Sequence, residues 1–91
     1  MVVLYHNLWY IIQQSDILTD MRIEAQKLGQ NFKRIRKEKG ISQGDIARTL
    51  GMDKAFISNV ENGKTNPTLA TIAKLAKAIG VSVSELMRMS A

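Results

Sequence analysis

From Leu28 onward, apolar residues recur every three or four positions, and the runs are separated by glycines and by short polar residues that suit helix caps. The pattern predicts an all-α chain of five helices. Leu28, Phe32 and Ile35 form the buried stripe of a first helix, running from about Glu24 or earlier to Lys39 and ended by Gly40. Ser42 is placed to cap a second helix reaching Leu50, with Asp45 setting a carboxylate against the amides of its first turn. Asp53 caps a third helix that runs to Asn62 and is stopped by Gly63. Asn66-Pro67 predicts the opening of a fourth, with asparagine as cap and proline at a first position where its missing N–H costs nothing. Leu69, Ile72, Ala73, Leu75, Ala76 and Ile79 would form the apolar face of that helix, which Gly80 closes. Ser82 and Glu85 have the spacing of a capping box, for a last short helix carrying Leu86 and Met87.

The segment before this pattern is different. Residues 1–22 read as an N-terminal arm, and residues 23–91 as the folded domain. Val2, Val3, Tyr5, Trp9, Tyr10, Ile11 and Ile12 favour a strand by propensity, whereas Leu4, Leu8, Ile11 and Ser15 fit a helical face. An arm this apolar is expected to pack on its own domain or on a second copy. The alternative is an incidental extension of a domain that could begin at Met21. The apolar run Met1 to Ile12 is too short to span a bilayer and lacks the basic start and cleavage site of a signal peptide. A cytoplasmic protein is therefore expected, neither secreted nor embedded in a membrane.

Gln43 to Asn62 carries the functional signal. Ile46, Leu50, Met52, Ile57 and Val60 mark two buried faces. The small Ala47 suits a close helix crossing, and Gly51 stands where the chain reverses and a positive φ is cheapest as glycine. That is the spacing of a helix-turn-helix that reads DNA. The outward positions at the front of its second helix are Lys54, Ala55, Phe56, Ser58 and Asn59. Lysine can donate to guanine O6 or N7 and asparagine can pair with adenine, while Ala55 and Phe56 suit a thymine methyl. Phe56, beside Ile57, also suits a partly buried packing role.

Charge supports a polyanionic partner. The chain has ninety-one residues, 45% of them apolar, enough for one domain with one modest core. All thirteen basic residues lie from Arg22 onward against six acids, a balance of +7, whereas the first twenty residues hold only Asp16 and Asp20 as charged side chains. There is no cysteine, which removes disulfides, thiolate metal sites and thiol catalysis. The only histidine, His6, has no acid pair nearby, and no nucleophile–base set, metal-ligand spacing or phosphate-cradling loop is present. No catalytic residue, metal or cofactor is expected, and no small-molecule ligand is evident.

From about Lys27 to Met87 the chain resembles the Cro and lambda-repressor family of helix-turn-helix domains, also called the XRE family. The likeness is carried in order by RIRKEKGISQGDIA, LG, FISNVENGKTNP and TLATIAKLAKAIGVSVSEL. It implies a compact five-helix, DNA-binding, usually dimeric domain of the kind found in bacteria and their phages. By this resemblance Gln43 meets a phosphate at the start of the second helix. Asn62, Lys64 and Thr65 meet the DNA backbone after the third, and Arg34 and Lys33 suit the same role on the other bank of the groove. Arg36 and Glu61 match an arginine and a glutamate that pair to lock the reading helix.

The expected function is a sequence-specific regulator of transcription, a repressor of Cro/C1 type that binds a palindromic operator as a dimer with helix 53–62 in the major groove. Val83, Leu86, Met87 and Met89, or the arm, are the candidate dimer surfaces. The alternative is an antitoxin or adaptor that uses the fold to dock a protein such as a toxin, with DNA binding secondary.

Overall fold

The computed structural model describes residues 15–88, with side chains from residue 23 onward. Among these residues the secondary structure is five helices: α1 (Ser15–Glu38), α2 (Gln43–Leu50), α3 (Lys54–Glu61), α4 (Leu69–Ala78) and α5 (Val83–Leu86). The readings made for residues 1–14 and for Met89 fall outside the described residues. α1 starts at Ser15, well ahead of Glu24, so the division drawn between residues 22 and 23 falls inside one continuous helix.

The core is assembled from the stripes the periodicity marks. Leu28, Phe32 and Ile35 of α1 meet Ile46 and Ala47 of α2, Ile57 and Val60 of α3, and Ile72, Leu75 and Ala76 of α4, with Ile79 and Leu86 completing the cluster. Burying one Phe or Leu side chain contributes about 1.5–3 kcal/mol. Against a net domain stability of about 5–15 kcal/mol, loss of Phe32 or Leu75, both without solvent exposure, would leave little margin. α1 packs on α3 and α5, α2 packs on α3 and α4, and α4 packs on α5. α3 is therefore gripped from two sides.

The caps differ from expectation in two places. At Ser42 the hydroxyl accepts the Asp45 N–H (3.0 Å) while the Ser42 N–H donates to the Asp45 carboxylate (3.2 Å), a complete reciprocal box. At Ser82 the hydroxyl accepts the Glu85 N–H (3.1 Å), but the reciprocal bond from the Ser82 N–H to the Glu85 carboxylate is not found among the described residues. α4 opens on Thr68, not on Asn66-Pro67: the Thr68 hydroxyl accepts the Thr71 N–H, and the helix starts at Leu69. A hydroxyl cap in extended conformation satisfies an amide that Asn66 would otherwise have to reach. Two residues assigned to the α4 core face lie outside it. Leu69 is 72% exposed, in the entry turn ahead of the first core position, Ile72. Ala73 is exposed because it sits about 100° of helical turn from Ile72.

The end of the fold is tied down by a buried polar residue. The Asn31 amide donates to the carbonyls of Leu86 (3.0 Å) and Arg88 (2.7 Å), so α1 satisfies two carbonyls that the short α5 leaves open. Lys39 does the same for Ile79 (2.6 Å) at the end of α4. Leu86 is consequently core and drops out of the candidate dimer surface, whereas Met87 remains 39% exposed. Among the described residues, no helix is long and apolar enough to cross a membrane.

Candidate nucleic-acid interface

α2, the turn and α3 have the local chemistry the sequence prescribes. Gly51 closes α2 with φ 65°, and the Met52 N–H reaches back to the Ala47 carbonyl (2.9 Å). Asp53 then caps α3, its carboxylate accepting the Ala55 N–H (3.1 Å). The back of α3 is buried through Ile57, Val60 and Glu61, and its front carries exposed Lys54, Ala55 and Asn59. Ser58 is half-buried, and its carbonyl accepts the Asn62 amide (3.0 Å). Phe56 is half-buried and packs against the core, so part of its ring anchors the helix.

Three contacts fix the direction of that front. Arg36 and Glu61, 7% and 5% exposed, form a two-pronged ion pair, Nε to Oε2 at 2.6 Å and Nη2 to Oε1 at 3.1 Å. The remaining guanidinium nitrogen donates to the Ile41 carbonyl (2.8 Å). No buried side-chain nitrogen or oxygen among the described residues lacks a partner. The Gln43 amide also donates to Glu61 (2.9 Å), which joins the start of α2 to the same carboxylate. Finally, α1 crosses the end of α3 at Gly29, where a Cβ would collide with the Val60 carbonyl oxygen and lie 2.8 Å from that of Glu61. Only a residue without a side chain allows this approach. At Gly63, with φ 68°, a Cβ would lie 2.7 Å from the Gln26 side chain of α1.

The positions nominated for phosphate contacts divide into two sets. Gln43, Asn62, Lys64 and Thr65 flank the front of α3: Asn62 and Lys64 are exposed, Gln43 and Thr65 half-buried. Gln43 keeps a second amide hydrogen beyond the one given to Glu61. Asn62 is turned back along its own helix onto Ser58. Lys33 lines a shallow hollow with Gln26, Gln30, Glu61 and Asn62, and so lies beside the end of α3. Arg34 is exposed and pairs with Glu38 one turn on (3.3 Å).

The family resemblance pointed to Arg36, Glu61 and Gln43 but not to the bond joining Gln43 to Glu61. It also missed Gly29, Asn31 and Lys39. A glycine or asparagine inside a helical run is a legible irregularity, and each marks a place where α1 meets another backbone. One titration is perturbed near the motif. Ser42, through its hydroxyl and its N–H, holds the Asp45 carboxyl below the usual carboxylate range, with Arg48 adding a smaller pull. Among the described residues no acid, histidine or cysteine cluster could hold a metal ion.

Comparison with known proteins places this architecture. The helix-turn-helix family HTH_3 matches residues 32–86. The chain is 41% identical to the HTH-type transcriptional regulator y4dJ of Sinorhizobium fredii, over 75% of this chain and 84% of that protein. Its fold superposes on the crystal structure of the restriction-modification controller protein C.AhdI from Aeromonas hydrophila with a TM-score of 0.67 and 36% identity, covering 70% of this chain and 97% of that one. It also matches the controller protein C.Esp1396I, solved as a tetramer with its natural 35-base-pair operator, at a TM-score of 0.61 and 27% identity, over 71% and 96% of the two chains.

Proposed function

The chain belongs to the Cro/C1-type helix-turn-helix family of DNA-binding transcriptional regulators, and on that premise we propose that it binds a two-fold-symmetric operator as a homodimer, with α3 of each copy in the major groove. One observation carries this reading. The side of α3 that bears Lys54, Ala55 and Asn59 is open, while the opposite side is clamped by the buried Arg36–Glu61 pair. A helix can discriminate bases only if its position on the duplex is fixed, and here the fixing is internal to the fold before DNA arrives.

The roles follow from position. Lys54 and Asn59 donate to base edges; Ala55, with the exposed part of Phe56, meets a thymine methyl, and Ser58 lies behind them. Gln43 meets a phosphate with its free amide hydrogen. Asn62, Lys64 and Thr65 meet the backbone beyond the end of α3, with Lys33 beside them. Arg34 is released from Glu38 at small cost, since an exposed pair of this kind contributes only about 0.2–1 kcal/mol. Two subunits are required because one α3 spans too few base pairs for useful specificity. The solved tetramer of C.Esp1396I on its operator supports assembly of related chains on DNA.

The test is a gel-shift titration against a duplex selected from a random pool, with random duplex as competitor. Affinity should fall with salt at a log–log slope of about 0.9 per phosphate neutralised. A variant carrying Lys54→Ala and Asn59→Ala should lose about 2–5 kcal/mol on the selected duplex and much less on random DNA. Equal losses on both would remove these residues as readers, and no shift with any duplex at low salt would remove the function.

A further inference from the structure

We propose that the hollow between α1 and the end of α3 is a phosphate-binding site, in which Gln26, Gln30 and Lys33 hold the DNA backbone where it leaves the reading face. The proposal rests on the DNA binding proposed above and adds an α1 wall to that site.

Helical geometry turns the hollow to the same side as the readers. Ser58, Asn62, Ala55 and Asn59 stand about 40°, 80°, 100° and 140° round the α3 axis from Lys54. Asn62, with φ −91° and ψ 5°, stays close to the helical path, so it sits in the middle of the open arc, one turn beyond Ser58. The same Asn62 lines the hollow. The facing wall is α1, where Gln26, Gln30 and Lys33 lie within about 60° of one another round the helix. At one end the chain leaving α3 closes in on Gln26 at Gly63, and Lys64 follows directly. A DNA strand that passes Asn62 and Lys64 therefore runs beside this wall.

The walls suit an anion held by side chains. Beyond α3 the backbone donors are already spent: the N–H groups of Asn62, Gly63 and Lys64 bond the carbonyls of Ser58, Val60 and Asn59 at 3.0, 3.1 and 2.9 Å. The Asn62 amide is turned onto Ser58 as well. Glu61 also lines the hollow, but its side chain is only 1% exposed and its oxygens are taken by Arg36 and Gln43. A phosphate here faces the partly negative C-terminal end of α3, so the attraction has to come from α1. Gln26, Gln30 and Lys33 are exposed and make no side-chain hydrogen bond or ion pair among those found in the described residues. Two amides and one ammonium are thus left to donate. Lys37, exposed and four residues beyond Lys33, extends the same stripe along α1. Because Gln26 and Gln30 carry no charge, a search for basic residues passes over them.

Fluorescence-anisotropy titrations of the full chain test this on the selected duplex and on random duplex. A variant carrying Gln26→Ala, Gln30→Ala and Lys33→Ala should bind both at least about tenfold more weakly, because hydrogen bonds to a charged group are lost and phosphates carry no sequence. Its melting curve should match that of the parent chain. Lys33→Ala alone should lower the log–log salt slope by about 1. Lys74→Ala, which removes the same charge from an exposed position on α4, should leave that slope unchanged. A second measurement, with Lys33→Ala alone, covers a triple variant that melts early. Selected duplexes are made with one phosphate at a time replaced by an uncharged methylphosphonate. One such replacement should weaken the parent chain and have far less effect on Lys33→Ala. A folded triple variant with parental affinity, a loss confined to the selected duplex, or a Lys33→Ala variant as sensitive as the parent to every replacement would overturn the α1 site and leave DNA binding by α3 intact. A parent chain that binds no duplex at low salt would remove the proposed function, and this site with it.

Discussion

The two faces of α3 are built on opposite plans. Its back holds Ile57, Val60 and Glu61, all buried, and meets α1 at a glycine and at a charged pair sealed from water. Its front holds Lys54, Ala55 and Asn59, which are exposed and make no long-range side-chain bond among those found in the described residues. Change on the back disturbs where the helix points. Change on the front alters only what it meets. Such a division would let the proposed readers vary without touching the clamp.

The difference should be plainest in Glu61→Ala. It removes a carboxylate that satisfies Arg36 and Gln43 together, leaving a buried guanidinium without a counter-charge. Breaking one side of such a pair costs about 3–5 kcal/mol, a large share of the total for a domain this small. Stability in urea and DNA affinity should fall together. The Lys54→Ala and Asn59→Ala variant should show the reverse signature, with weakened operator binding and an unchanged melting curve. If Glu61→Ala melts normally and binds at full strength, the clamp has no role in either property.

Gly29→Ala breaks the same face by sterics alone. In an open helix this change would stabilise by about 1 kcal/mol, because alanine is the better helix former. Here the added methyl strikes the Val60 and Glu61 carbonyls, and backbone cannot swing aside as a side chain would. α1 and α3 must separate, at a cost of about 1–3 kcal/mol, and DNA affinity should fall through reorientation of α3 even where folding persists. A stabilised variant with intact binding would show that the crossing is looser than its geometry implies.

The sequence exposed these two faces unequally. The helix-turn-helix was legible because its constraints are local: Ser42 with Asp45, the left-handed Gly51, and Asp53 with Ala55 each act within three residues. The core stripes were legible because burial follows the helical period. Contacts between distant segments were harder to find. Gly29 and Asn31 break the pattern of α1 for reasons that lie in Val60 and Leu86, about thirty and fifty-five residues away, and nothing in their neighbourhood names those partners. The α4 opening failed for a related reason. Asn66, Pro67 and Thr68 all suit a helix entry, and packing of Ile72 and Leu75 against the core decides which of them begins it. The bases that Lys54 and Asn59 are proposed to read would be a property of the partner.

The smallest effect expected lies at the entry of α2, where one exposed carboxyl holds the first turn. Ser42 and, to a lesser degree, Arg48 keep the Asp45 carboxyl below its ordinary range. A carboxylate favoured in the folded state contributes stability above its unfolded value of about 3.9 and loses it as pH falls through the lower folded value. Asp45 should therefore add no pH dependence between about pH 5 and 8. The parent chain should melt slightly above Asp45→Ala across that range, and the gap should close on acidification below about pH 4. The order of causes sharpens the test, since Ser42 outweighs Arg48: Ser42→Ala should remove most of the gap and Arg48→Ala only a small part. A gap that vanished in 0.5 M salt, roughly where exposed charge pairs are screened, would instead make Arg48 the dominant partner and reduce the cap to a surface ion pair.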